Sequence, residues 1–191
     1  MSSKSLPDEL DYKACKRTVL IFVVAIFLSL CLSTPSDATK LSVVEYYHTL
    51  HQHFYCTTGY IPSDCVRDLA VLQQLLNQYH AESLGEWSWV IVAKTQWKAF
   101  SLEMGFSAIS PAMTSLEDRA TLLDESLFSA EEERVGELEQ HFRVPWRGLL
   151  PLALTHELGH AVCRDSSEIR VERFANQLRS GVKPSCNAMT W

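Results

Sequence analysis

Apolar and polar positions divide this chain into blocks of distinct period. From Leu41 to Tyr55 the spacing reads as one amphipathic helix, followed by a loop at 56–65 bounded by two cysteines. Leu69, Val71, Leu72, Leu75 and Leu76 mark one side of a second helix over Val66–His80. Trp87–Ala93, with Val90, Ile91 and Val92 at its centre, predicts a buried strand. Thr95–Met104 is expected to be helical, 105–118 a polar, Pro-containing connection, and Thr121–Leu123 the middle of a short strand. Ser129–Gln140 predicts a solvated helix, because Glu131, Glu132 and Glu133 cannot all face a core. A long apolar helix follows over Leu149–Val162, with Pro151 in its first turn, where a missing N–H costs nothing. Asp165–Ser167 breaks the chain, and a last helix runs to about Arg179 before Gly181 and Pro184 stop it. This order predicts one α+β domain over 39–191, with a small sheet packed on helices.

The first 38 residues read differently. Lys13, Lys16 and Arg17 precede an apolar run of 15 residues, Thr18–Leu32, and Ser36-Asp37-Ala38 places small residues where a signal peptidase cuts. The run falls short of the roughly 20 residues of a spanning helix. A cleaved signal peptide over 1–38 and an exported protein are therefore expected, with an uncleaved anchor at 18–32 as the alternative. Only that alternative implies a membrane partner. Leu30 before Cys31 is too bulky for a lipoprotein site. The net charge is −6, and the 38 residues carry four basic and four acidic groups, so the rest is also at −6. With no basic stripe, nucleic acid is excluded as a partner.

Cysteine usage agrees with export. Outside the targeting segment stand Cys56, Cys65, Cys163 and Cys186, an even set that allows three connectivities. Pairing Cys56 with Cys65 closes a loop containing Gly59 and Pro62, and leaves Cys163 with Cys186 to tie down the C-terminus. Buried free thiols in a reducing compartment are the alternative.

His156-Glu157-Leu158-Gly159-His160 carries the chemistry. Histidines four apart on a helix project one turn apart on one face, so two imidazoles can share one ion. Glu157 lies beside them, placed to act as general base on a water activated by zinc and to return the proton to a leaving amine. The motif sits in an apolar helical run. Leu158 can face the core and Gly159 permits close approach of another segment. Two histidines do not close a zinc site. No histidine follows His160, and Cys163 and Ser166 stand where a metzincin needs glycine and histidine. Asp165, Glu168 and Glu172 remain as acidic candidates. His48, His51 and His53, with the first two on one face of the predicted first helix, read as solvated polar surface. Cys163 reads as a disulfide or core thiol, and Trp87, Trp89, Trp97 and Trp146 as core.

His156-Glu-Leu-Gly-His160 followed by Glu172-Arg-Phe-Ala175-Asn176 resembles the ImmA/IrrE type of gluzincin metallopeptidase over some 21 residues. The resemblance implies a zincin fold, one zinc ion held by His156, His160 and Glu172, Glu157 as catalytic residue, and hydrolysis of peptide bonds in a peptide or protein substrate. It further implies that the strand around Thr121–Leu123 forms the cleft edge along which substrate lies. Periodicity alone cannot separate Glu172 from Glu168, which share one helical stripe. Asp165-Ser166-Ser167-Glu168 has the spacing of a capping box, which would occupy Glu168 at the third helical position and leave Glu172 as ligand. Two other readings stand beside this one: a zincin-like domain that binds without cleaving, and an anchored interaction protein whose HExxH is accidental.

Overall fold

Val43–His48 (β1) and Gln52–Thr57 (β2) pair as an antiparallel hairpin, where periodicity predicts a single helix over 41–55. Val43, Val44, Tyr46, Tyr47, Phe54 and Tyr55 suit a pleated surface, and folding back stacks the Tyr47 and Phe54 rings at 4.5 Å. His48 and His51 consequently share no helix face. The computed structural model describes residues 41–49, 51–130 and 133–186. The targeting segment expected at 1–38 lies outside them. Among the described residues, no helix is long and apolar enough to cross a membrane.

The other elements keep the predicted order with shifted ends. Helix α1 is Pro62–Gln78, opening on Pro62 four residues before the predicted start. Strand β3 is Trp87–Val92, and helix α2 is Lys94–Glu103. The connection at 105–118 contains an unpredicted strand, Ala112–Ser115 (β4), which pairs antiparallel with Ala120–Asp124 (β5). Helix α3 is Glu133–Phe142, and α5 is Glu168–Arg179. Helix α4 is Trp146–Cys163, capped by Pro145, so Pro151 sits inside it and not in its first turn. Thr155 Oγ1 donates to the Pro151 and Leu152 carbonyls just beyond, at 2.7 and 3.1 Å.

The architecture is α+β, with a five-stranded mixed sheet in the order β1-β2-β3-β5-β4. β2, β3 and β5 run parallel, and antiparallel β1 and β4 form the two edges. One face of the sheet buries Phe54, Cys56, Trp87, Trp89 and Leu123 with Leu69, Leu72 and Leu76 of α1 and Leu149, Leu154 and Leu158 of α4. The other face packs Val90, Val92 and Met113 against Trp97 and Phe100 of α2. Disulfides join Cys56 to Cys65 and Cys163 to Cys186, the pairing expected from chain order. Both belong to the chemistry of an oxidising compartment.

Helix α5 crosses α4 at Gly159. A Cβ there would stand 2.9 Å from Val171 Cγ1 and 3.0 Å from the Val171 carbonyl oxygen, so backbone would have to move. Gly159→Ala gains about 1 kcal/mol of helix propensity but incurs overpacking of about 1–3 kcal/mol. A lowered thermal midpoint is expected. Gly136→Ala is the control, since nothing lies within 4 Å of that Cβ position. It should gain up to about 1 kcal/mol. Unfolding the two variants side by side checks the crossing, and equal stabilisation of both would refute it.

Candidate metal centre

Helix α4 delivers the motif residues and α5 closes over them. His156 and His160, one turn apart, stand with ring centroids 5.0 Å apart in an edge-on arrangement. Glu157 points inward and is 6% exposed. Burial pushes its carboxyl pKa up, only partly countered by a hydrogen bond from Thr114 of β4 and the fields of His156 and His160. Thr114 Oγ1 is also 2.9 Å from Thr121 Oγ1, which accepts from Trp87 Nε1 at 3.1 Å. This chain of hydrogen bonds ties Glu157 to the sheet.

Each histidine has its Nδ1 held and its Nε2 directed to a common point. His160 Nδ1 donates to the Asp165 carbonyl at 2.7 Å. That contact exists because Arg164 adopts a left-handed conformation at the end of α4 (φ 49°, ψ 45°), turning the chain back on the ring. Hydrogen bonds from Arg170 and from the Ser167 backbone then hold the Asp165 carboxyl down at about 2, which fixes the turn between α4 and α5. His156 Nδ1 is 3.1 Å from Glu172 Oε2. Glu172 Oε1 in turn accepts from Arg179 Nη2 at 2.6 Å, and Arg179 Nη1 donates to Thr155 Oγ1 at 2.7 Å. Desolvation would raise the Glu172 carboxyl, but the bonds from His156 and Arg179 outweigh it and hold the group below its ordinary value.

The two free ring nitrogens meet Glu168. His156 Nε2 lies 2.9 Å from Glu168 Oε2, and His160 Nε2 lies 3.6 Å from Glu168 Oε1. Among the described residues, His156, His160 and Glu168 form the group able to hold a metal ion, with all three ligand atoms within 4.8 Å of one another. The capping box expected at 165–168 does not form. Ser167 is the N-cap, without a side-chain capping bond, and Glu168 is the first helical residue. Asp165 Oδ1 accepts from Ser167 N and not from the third turn position. Glu168 is thus free of a structural task and projects toward the histidines. Glu172 contacts the opposite ring nitrogen of His156.

Sequence reading missed three participants: Thr114, the Asp165 carbonyl and Arg179. Arg179 had a legible signal, since it stands two helical turns from Glu172 on one face. The other two contacts cross between elements and leave no local pattern. The expected cleft-edge strand also changes. β5 is interior, paired on both sides, and the edge beside α4 is β4. Comparison with known proteins returns no match to any family model, curated protein or solved structure.

Proposed function

We propose that the protein is a zinc-dependent peptidase with a zincin-like site, exported to an oxidising compartment. The observation that carries the reading is the convergence of His156 Nε2, His160 Nε2 and a Glu168 carboxylate oxygen beside the buried Glu157. The donor set suits zinc: two neutral imidazoles and one carboxylate are ligands of that borderline ion. Each Nδ1 has an acceptor, the arrangement that fixes the tautomer and leaves Nε2 free to ligate. His156, His160 and Glu168 would hold the ion, and Glu172, anchored by Arg179, would orient His156. This assigns the two glutamates the reverse of the roles implied by the family resemblance.

Zinc, when bound, supplies a Lewis acid that polarises a carbonyl and acidifies water. Glu157 takes the proton of the attacking water on its carboxylate and delivers it to the departing amide nitrogen. Its burial beside the histidines excludes bulk water from that proton. Thr114 keeps the carboxylate oriented from the sheet side. Among the described residues, strand β4 has no partner strand on its outer edge, next to Glu157, and an extended peptide added there would be held by backbone hydrogen bonds.

Chelator-treated protein should lose its cleavage of unstructured peptides, and one equivalent of zinc should restore it. Mass spectrometry of a casein or peptide-library digest, with metal content measured in parallel, provides the check. Undiminished cleavage by metal-free protein would reject the reading.

A further inference from the structure

The two disulfides differ in what they close and in what can reach them. Cys56 and Cys65 are 1% and 0% exposed and belong to the core. Cys163 is half-buried and Cys186 exposed, so a thiol in solution has access to the second bond and not to the first. Cys163 is the last residue of α4, three residues beyond His160, and Cys186 follows 23 residues later in the tail. The bond therefore closes a loop that contains the whole of α5, with Glu168, Glu172 and Arg179.

Apart from this bond, α5 rests on modest packing. It has 12 residues, and a helix of that length is marginal in water by itself. Val171, Phe174 and Ala175 are its buried residues. Arg179 reaches back to Thr155 Oγ1 and the Leu152 carbonyl at 2.7 and 3.4 Å. Beyond the helix, Val182 N donates to the Gln177 carbonyl at 3.0 Å and Ser185 N to Gln177 Oε1 at 3.3 Å. Those two bonds lie within the loop and do not join it to α4. The covalent clasp is what returns the tail to the end of α4.

We infer that Cys163–Cys186 is a reversible thiol–disulfide site, and that its reduction by a dithiol loosens the metal centre. The inference rests on the reading of His156, His160 and Glu168 as that centre. One thiolate of the dithiol attacks the exposed Cys186 Sγ, and Cys163 leaves as a thiolate. The second thiolate of the dithiol then displaces Cys186. The dithiol is thereby oxidised to a disulfide, and its two electrons and two protons end on Cys163 and Cys186. With the loop open, Glu168 and Glu172 lose their fixed height against the histidines, and binding the ion must order α5 as well as coordinate. Disturbing the groups that orient metal ligands costs about 10- to 100-fold in affinity. The coupling is reciprocal, so bound zinc opposes reduction of this bond by the same factor. For a two-electron couple that is about 30 mV per tenfold. A disulfide that merely holds the tail shows no such response to zinc.

Tag-free full-length protein is to be treated with graded dithiothreitol, alkylated with iodoacetamide, freed of reagents by gel filtration and mapped by mass spectrometry. Cys163 and Cys186 should be labelled before Cys56 and Cys65. The labelled protein, whose blocked thiols cannot ligate, should bind zinc at least about tenfold more weakly than oxidised protein in competition with a chromophoric chelator. Cys163→Ser/Cys186→Ser should match it, with circular dichroism reporting the fold. If that variant does not fold, Cys186→Ser with Cys163 alkylated replaces it under the same criterion. In a glutathione redox buffer at fixed free zinc, saturating zinc should lower the midpoint of Cys163–Cys186, and His156→Ala/His160→Ala should abolish the shift. Equal zinc affinity in the two forms, or earlier reduction of Cys56–Cys65, overturns the inference and leaves the metal centre standing. Oxidised protein that binds no zinc removes the centre and the inference with it.

Discussion

Glu157→Gln is expected to reduce peptide cleavage by at least about a hundredfold while the fold and the bound metal persist. Glutamine keeps the shape of the side chain and can still meet Thr114, but it cannot accept the proton that general-base catalysis requires. Positioned acid–base groups contribute about 10²- to 10⁴-fold, and that loss should fall on kcat and kcat/KM together, since proton transfer belongs to the transition state. Stability should not fall. Glutamine fills the same buried volume and keeps a partner for Thr114. Initial rates at saturating peptide, paired with metal content and a melting curve, test all three statements. Cleavage equal to wild type would remove Glu157 from the mechanism.

Glu168→Ala is expected to weaken zinc binding far more than Glu172→Ala. Glu168 offers oxygens at 2.9 and 3.6 Å to the two Nε2 atoms, so its loss removes a ligand. Glu172 reaches only Nδ1 of His156 and is itself held by Arg179. Its removal frees a ring to rotate, and outer-shell partners of this kind account for about 10- to 100-fold in affinity. Arg179→Ala should resemble Glu172→Ala more mildly, because it loosens the carboxylate without deleting it. Competition titration with a chromophoric chelator separates the three variants. The opposite order, with Glu172→Ala losing metal and Glu168→Ala retaining it, would restore the ligand set implied by the resemblance.

Local pattern carried a large part of this protein. The HELGH spacing places two imidazoles on one face of any helix, and the apolar run around it requires that helix to be buried. The apolar centre of β3 reads as a buried strand, and of the three connectivities that four cysteines allow, joining the neighbouring Cys56 and Cys65 leaves Cys163 with Cys186. The motif and the Cys56–Cys65 loop are spacings of a few residues, which sequence expresses directly; the second disulfide, 23 residues apart, follows once that close pair is made.

Tertiary structure decided the remainder. Residues 41–55 form a hairpin because β2 found β3 as a parallel neighbour, and a strand is defined by its partner as much as by its residues. β4 has four residues, Ala112–Ser115, and exists only through its pairing with β5. No period can announce so short an element, yet it sets the edge beside Glu157. Glu168 and Glu172 lie one turn apart on one stripe of α5, equivalent by periodicity. What separates them is where α5 crosses α4. Close approach at Gly159 and the left-handed turn at Arg164 set the height of α5 against the histidines. A shift of one helical turn, about 5.4 Å, exceeds the reach of a ligand bond, so the crossing point alone determines which carboxylate meets the two Nε2 atoms.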